Sequence, residues 1–219
     1  MEKYLNDLYY DPAHPAAFGG ISAIQRAVKR DQKNISVKDI KRWLSKRDTY
    51  TLHKPRRKHF NRNRVIVSGI DSQWQADLVD VSALSKYNKG HKFILTCIDV
   101  FSKFAWARPL KNKSAKSIVR AFRSILNEHN RQPRALQTDN GGEFLNRAFQ
   151  TLLRSLDIHF FTTNNKGKAA LAERFNRTIK GKMFRYFTAR GTRKYVDVLQ
   201  QFLDGYDKKT LVWPPLMLI

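Results

Sequence analysis

Hydrophobic and polar residues follow the pattern of short strands between residues 73 and 110. Gln73–Val81, Phe93–Val100 and Lys103–Leu110 are short and largely apolar, and acidic residues interrupt the first of them. Such stretches, bounded by turn residues, are typical of strands. A tight turn near Phe101 and Ser102 joins the last two. We therefore predict an antiparallel meander of three strands.

Beyond residue 110 the apolar positions recur every three to four residues, which is the spacing of helices that bury one face. The predicted helices cover Ser114–His129, Glu143–Leu156, Ala169–Phe187 and Tyr195–Tyr206. Two more short strands are predicted between them, over Arg134–Thr138 and Ile158–Phe161. Strands that alternate with helices in this way indicate an α/β fold, a mixed five-stranded sheet flanked by helices.

Residues 1–50 predict a small helical module that precedes the sheet. Apolar positions recur at helical spacing in two segments between Ala17 and Arg47, and Ser36 is the predicted N-cap of the second. Basic residues lie largely outside the apolar face of that second helix: Lys38, Lys41, Arg42, Lys46 and Arg47. Two such helices fit a helix-turn-helix-like DNA-binding module. The alternative is a helical bundle that only packs against its neighbour.

The net charge points to a polyanionic partner. The chain of 219 residues has 42 Lys and Arg against 18 Asp and Glu, which gives a formal charge of +24. With 42% hydrophobic residues it has enough apolar material for a packed core. Nucleic acid is the simplest partner for such a charge. The alternative is a generally basic surface.

The apolar runs and the single cysteine exclude other classes. No apolar run approaches the roughly 20 residues of a membrane span, so we expect no membrane partner. Cys97 is the one cysteine, which excludes an internal disulfide and a cysteine-rich zinc cluster within one chain. The six histidines show no paired spacing with cysteines, so we expect no zinc.

Two stretches concentrate the positive charge. Residues 51–70 predict an extended linker whose basic side chains, including Arg56, Arg57 and Lys58, lie along DNA phosphates or are simply solvated. The other stretch runs from Arg174 to Lys194 and contains no acidic residue.

Three acidic residues stand out by position. Asp77 lies inside the first strand, Asp139 follows the fourth strand beside a glycine turn, and Glu173 lies in the first turns of the helix after the fifth strand. A carboxylate in a central apolar strand is costly unless it is paired or binds a metal. Carboxylates from two strand ends and one helix can converge on a pair of divalent cations, and oxygen ligands favour Mg²⁺ or Mn²⁺.

Four motifs resemble the catalytic core of retroviral-type integrases. In order, they are QWQAD over 73–77, IDVFSKFAW over 98–106, LQTDNGGEF over 136–144 and AERFNRTIK over 172–180. The resemblance also includes the N-terminal stretch FGGISAIQRAV and the linker phrase DTYTLHKPRRKHF. It covers about Ala17 to Tyr206 and is strongest to the integrases of Polinton/Maverick-type DNA transposons.

The resemblance implies an RNase H-like fold and a DDE triad. Carried over motif by motif, the triad is Asp77, Asp139 and Glu173, which would be catalytic and hold two Mg²⁺ or Mn²⁺ ions. The implied activity is 3′-end processing and strand transfer on double-stranded DNA, both element ends and target. The resemblance further implies a homo-oligomer acting in the nucleus or wherever host genomic DNA is accessible.

The helix that carries Glu173 adds candidate DNA contacts. Asn176 and Lys180 follow Glu173 by three and seven residues and so share its helix face. Lys180 could hold a phosphate or a base, or be a simple surface lysine. Arg174 and Arg177, on adjacent faces, could contact the DNA backbone.

Other acids are given structural roles. We expect Asp80 to face the opposite side of the strand from Asp77, Asp99 to order its turn, and Glu143 to favour the N-terminal dipole of a helix. Trp74 and Trp106 are predicted to be core residues.

The sequence thus predicts a helical module over 1–50, a basic linker over 51–70 and a catalytic core over 71–206. Residues 207–219 form an atypical apolar tail that suggests truncation. The leading hypothesis is a DNA integrase or transposase. The alternatives are a truncated or domesticated remnant that binds DNA without catalysis, and an RNase H-type nuclease.

Overall fold

The computed structural model describes residues 1–53, 66–162 and 169–210, and the side chains as far as residue 208. The chain divides into two compact units, Met1–Phe60 with Thr178–Ile219, and Asn61–Arg177. The predicted linker falls largely outside the described residues, as does the predicted tail beyond residue 210. The domain boundaries given above stay a prediction.

The second unit is built on a mixed five-stranded sheet. Its strands are β1 (Gln73–Asp80), β2 (Phe93–Asp99), β3 (Ala105–Leu110), β4 (Ala135–Thr138) and β5 (His159–Thr162). They lie in the order β3-β2-β1-β4-β5. The pairs β1–β2 and β2–β3 are antiparallel, and β1–β4 and β4–β5 are parallel. The predicted meander and the five-stranded α/β fold are therefore confirmed.

The helices of this unit cover the sheet. They are α5 (Ala115–Glu128), α6 (Gly142–Leu145), α7 (Arg147–Ser155) and the start of α8 (Ala170–Arg190), and a short 3-10 helix spans Ser82–Tyr87. One hydrophobic cluster joins Trp74 and Trp106, stacked 4.2 Å apart, to apolar residues of α5 and α7. Both tryptophans are core residues, as predicted.

The predicted helix over Glu143–Leu156 is wrong in one respect, because it is broken into α6 and α7 at Asn146. This residue is extended, with φ −68° and ψ 151°, and its side chain accepts a hydrogen bond from the backbone N–H of Phe149. An asparagine that caps a new helix in this way favours a break over continuation. Apolar spacing alone could not reveal it.

The first unit is helical. It contains α1 (Glu2–Tyr10), α2 (Ile21–Arg30), α3 (Val37–Ser45), α4 (Asp48–Thr51), the rest of α8, a 3-10 turn over Val196–Val198, and α9 (Leu199–Thr210). The side chain of Ser36 accepts from the backbone N–H of Asp39, so the predicted N-cap of α3 is confirmed. The sequence analysis did not predict α1.

Aromatic rings form the centre of this unit. Tyr9 makes edge-on contacts with Phe18 and Trp43, and Phe18 contacts Tyr186 of α8 and Phe202 of α9. Residues from both ends of the chain therefore share one core. In the described residues, no helix combines the length and the apolar character that crossing a membrane requires.

Candidate active site

Asp77 lies in β1, at the middle of the sheet. Its Oδ1 accepts a hydrogen bond from the backbone N–H of Leu78 at 2.8 Å, and its Oδ2 accepts one from Nδ2 of Asn176 at 2.7 Å. Burial raises the pKa of this carboxyl, and the negative charges of Asp139 and Glu173 raise it further. The pKa is raised although both hydrogen bonds act in the opposite direction.

Asp139 follows β4, which is the parallel neighbour of β1. The register pairs Gln75 with Gln137, so Asp77 and Asp139 each come two residues after a paired position. Because the two strands are parallel neighbours, Asp77 and Asp139 lie at the same level along them. Asp139 is exposed, and its Oδ1 accepts from the backbone N–H of Gly141 at 3.1 Å.

Glu173 comes from the first turn of α8 and is half-buried. Its backbone N–H donates to the carbonyl of Ala169 at 2.9 Å. Since its charge acts on Asp77 together with that of Asp139, the structure brings the three sequence-predicted acids into one electrostatic cluster. Two strands and a helix each supply one carboxylate.

Gly141 leaves room for this cluster. A Cβ added at this position would lie 2.8 Å from Cδ of Glu143 and 3.0 Å from Oδ1 of Asp139. The neighbouring Gly142 has open space at the same point. Glu143 lies in the first turn of α6, as predicted for an acid that favours the helix dipole.

Asn176 is 8% exposed and lies on the first part of α8. Its Nδ2 donates to Asp77, whereas its Oδ1 has no hydrogen-bond partner among the described residues. A buried acceptor that lacks a partner is costly, and in native proteins such an atom usually has a role. Oδ1 of Asn176 is therefore an available hydrogen-bond acceptor or metal ligand beside the Asp77 carboxylate.

The other predicted contacts are spread along the chain. Arg174 and Arg177 are exposed on α8, and Lys180, on the same helix, is half-buried. Arg56, Arg57 and Lys58 lie outside the described residues. The structure therefore gives positions for the candidate DNA contacts on α8, whereas those in the linker lie outside the described residues.

Asp99 has the structural role predicted for it. It is fully buried and accepts hydrogen bonds from the backbone N–H groups of Phe101 and Ser102, which orders the turn after β2. Arg131 donates to it at 2.8 Å and also to Asp71. Asp80 is exposed and accepts from Ser82.

The sequence analysis missed Gln75. This buried residue faces the same side of β1 as Asp77, and its Oε1 accepts from the backbone N–H groups of Leu171 and Ala172 at the start of α8. A signal was present in the repeated pattern Gln-x-Asp, which occurs at Gln75–Asp77 and again at Gln137–Asp139.

The donor chemistry of the cluster suits a hard divalent cation. All candidate ligands are oxygens, and the repulsion that raises the pKa of Asp77 is of the kind that a bound cation relieves. Among the described residues, no group of three or more His, Cys, Asp or Glu side chains is placed so that it could hold a metal ion.

Comparison with known proteins finds similarity to integrases. Residues 69–166 match the integrase core domain. The matched region contains all five strands together with Asp77 and Asp139, and it ends before Glu173. The match agrees with the RNase H-like fold, a mixed sheet with helices on it.

Two curated relatives share the integrase core region. A transposon-derived protein of Caenorhabditis elegans is 34% identical over 125 residues, which are 57% of this chain and 44% of that protein. The Pol polyprotein of Radiation murine leukemia virus (strain Kaplan) is 29% identical over 133 residues, or 58% of this chain and 22% of that one. The chain spans less than half the length of the curated relatives it matches.

Solved structures show the same fold. The HTLV-2 integrase catalytic core domain, solved in complex with magnesium, has a TM-score of 0.51 and 21% identity, and the match covers 64% of this chain and 86% of that one. The simian T-cell lymphotropic virus intasome, solved with the PP2A regulatory subunit B56 gamma, has a TM-score of 0.57 and 20% identity. That match covers 82% of this chain and 63% of the other.

Proposed function

We propose that this chain is a DNA integrase or transposase that performs metal-dependent 3′-end processing and strand transfer. The observation that carries the proposal is that the charges of Asp139 and Glu173 both act on Asp77, in a chain whose residues 69–166 match the integrase core domain. We also propose, from the four motifs, that its nearest kin are the integrases of Polinton/Maverick-type transposons.

In this proposal the three carboxylates hold two Mg²⁺ or Mn²⁺ ions. When bound, two such ions would supply Lewis-acid stabilisation of the negative charge on the attacking and leaving oxygens of a phosphoryl transfer. Asn176 holds one oxygen of Asp77 and presents its own Oδ1 beside it. Gly141 keeps the approach to Asp139 free of a side chain. The protein supplies position and charge, which is its usual share in phosphoryl transfer.

DNA would lie along the basic residues near the acids. Arg174 and Arg177 project from α8 into solvent and suit phosphate contacts. Asn176, Lys180 and the linker residues Arg56, Arg57 and Lys58 complete the proposed DNA contacts. We also propose that the protein acts as a homo-oligomer on double-stranded DNA in the nucleus.

The N-terminal helices would bind DNA through α3. Its buried residues Ile40, Trp43 and Leu44 face the unit's core. The exposed positions carry Lys38, Lys41 and Arg42, and the acid on this helix, Asp39, lies 3.6 Å from Arg42. A helix with a basic outer face suits the groove of a duplex.

A strand-transfer assay tests the proposal. Wild-type protein is incubated with DNA that carries the ends of its element, with supercoiled target DNA and Mg²⁺. We expect joined products from the wild type and none from Asp139→Asn. Equal activity of the variant would refute the assignment. DNA binding without any cleavage or joining, even with Mn²⁺, would instead identify a remnant that only binds DNA.

A further inference from the structure

A neutral polar side chain connects two of the proposed catalytic acids. Gln75 is 0% exposed. Its Oε1 accepts from the backbone N–H of Leu171 at 3.0 Å and from that of Ala172 at 3.1 Å. Asp77 lies two residues further along β1, and Glu173 is the next residue of α8. One side chain therefore joins the element that carries Asp77 to the turn that carries Glu173.

This bond replaces a local helix cap. α8 begins at Ala170, and the residue before it is Ala169, which has no side-chain acceptor. The second and third amides of a helix normally receive a hydrogen bond from the N-cap side chain. Here the acceptor comes from a strand nearly one hundred residues earlier in the chain. The Gln75 side chain therefore fixes the start of α8 to the sheet.

A second glutamine fixes the orientation of the first. Nε2 of Gln75 donates to Oε1 of Gln137 at 2.9 Å, and Nε2 of Gln73 donates to the same oxygen at 2.7 Å. Because Gln75 must give an N–H to Gln137, its carbonyl oxygen is left to face α8. Gln137 is two residues before Asp139 in β4. The pair of glutamines thus links all three elements that supply an acid.

We propose that Gln75 is a positioning residue for Glu173. It sets the separation of the Glu173 and Asp77 carboxylates, and so the affinity of the site for divalent cations. The inference rests on the proposed function of the three acids. An amide suits this task because it provides both an acceptor and a donor without adding a fourth negative charge to the cluster. Groups that orient metal ligands typically affect metal affinity by about 10- to 100-fold.

The test compares two glutamine-to-methionine variants of the full chain. Gln75→Met keeps the length of the side chain but loses its three hydrogen bonds, to Leu171, Ala172 and Gln137. Gln73→Met is the matched control, because Gln73 lies on the same face of β1 and shares the Gln137 oxygen but has no hydrogen bond to α8 among the described residues. Hydrogen exchange at Leu171 and Ala172 is measured in the free protein. Mn²⁺ binding is followed by electron paramagnetic resonance.

In Gln75→Met, we expect the backbone amides of Leu171 and Ala172 to exchange their hydrogens about tenfold faster than in the wild type. We expect this variant to bind Mn²⁺ about 10- to 100-fold more weakly. Gln73→Met should stay within about twofold of the wild type in both measurements. Gln75→Glu keeps an acceptor for the two amides and should restore most of their protection. Equal behaviour of the two methionine variants, or faster exchange with unchanged Mn²⁺ affinity, would overturn the proposal.

A further variant covers the case in which Gln75→Met does not fold. Gln137→Met removes the partner that orients Gln75 and should weaken Mn²⁺ binding several-fold. Unchanged binding in this variant would again count against the proposal. Neither readout requires DNA joining. An inactive wild type would therefore refute the proposed function, while the exchange and Mn²⁺ data would still decide the role of Gln75.

Discussion

Asn176 donates a hydrogen bond from Nδ2 to Oδ2 of Asp77 at 2.7 Å, while its own Oδ1 has no partner among the described residues. The Asn176 amide thus favours the charged form of the Asp77 carboxyl. Burial and the charges of Asp139 and Glu173 disfavour that charged form. An unfavourable arrangement of this kind is typical of sites selected for activity rather than for stability.

Asp77→Asn should increase the stability of the protein and abolish its activity. The substitution removes a charge that Asp139 and Glu173 repel, and rotation of the Asn176 amide would let its Oδ1 accept from the new Nδ2. We expect a gain of about 1 kcal/mol in the free energy of unfolding at pH 7 without divalent cations. Urea denaturation in the presence of EDTA measures it.

The gain in the free energy of unfolding from Asp77→Asn should depend on pH. A carboxyl whose pKa is higher in the folded protein than in the unfolded chain costs stability once it is ionised in both states. The difference between Asp77→Asn and wild type should therefore be fully present at neutral pH. It should vanish below the ordinary carboxyl pKa of about 4. A wild type that is the more stable form at pH 7 would contradict this prediction.

Gly141→Ala should reduce activity with little loss of stability. The φ of Gly141 is −61°, which alanine adopts readily, so the backbone is not strained. The new Cβ would instead displace the carboxyl groups of Glu143 and Asp139. We expect strand transfer to fall by about 10- to 100-fold, since small displacements of catalytic groups have effects of this size.

Gly142→Ala is the matched control, because a Cβ there meets nothing within 4 Å. It should keep strand-transfer activity close to wild type. The double variant Gly141→Ala/Glu143→Ala removes one of the displaced groups and should recover part of the activity. Equal losses in the two single alanine variants would show that the effect does not arise at Asp139.

Arg131→Met should strongly destabilise the unit that contains the five-stranded sheet. The guanidinium bridges Asp71 and the fully buried Asp99, and it lies 5.0 Å from the ring centre of Trp106. Its removal leaves Asp99 buried without its cation. Such a loss costs about 3–5 kcal/mol, measurable by urea denaturation. Arg123→Met, at an exposed position of α5, should change stability by no more than about 0.5 kcal/mol.

Removing two lysines from α3 should weaken the salt dependence of DNA binding. Each phosphate contact adds about one unit to the slope of the logarithm of affinity against the logarithm of salt concentration. If the N-terminal helices bind DNA, Lys38→Gln/Lys41→Gln should lower that slope by about two. Fluorescence anisotropy with a labelled duplex measures it at several salt concentrations.

The control pair Lys113→Gln/Lys116→Gln removes the same charge from exposed positions just before α5 and in its first turn. Its slope should stay near the wild-type value. Equal slopes for the two double variants would mean that α3 contributes only general charge.

Most of the fold was predictable because apolar spacing determined it. The strands β1, β2 and β4 and the helix α5 begin and end within about two residues of their predicted bounds, since each has a clear buried face. The break at Asn146 was not predictable in this way, because its cause is a side-chain cap rather than a change of periodicity. The helix α1 was missed although its buried residues Leu5, Leu8 and Tyr9 follow a helical spacing in the sequence.

The three candidate acids and Asn176 were predicted from the sequence, whereas Gln75 was not. An acid inside an apolar strand is conspicuous, which is why Asp77 was found. Gln75 bears no charge, and its importance follows from hydrogen bonds to α8 that bridge nearly one hundred residues. Only the fold reveals such a partner.

The shared core of the first and last segments also has a consequence for synthesis. Phe18 packs against Phe202, and the backbone at Pro12 and His14 lies against Gly205. During translation, the N-terminal helices therefore leave the ribosome long before Phe202 and Gly205 are synthesised. At roughly 5–20 residues per second, these helices wait on the order of ten seconds with apolar side chains uncovered.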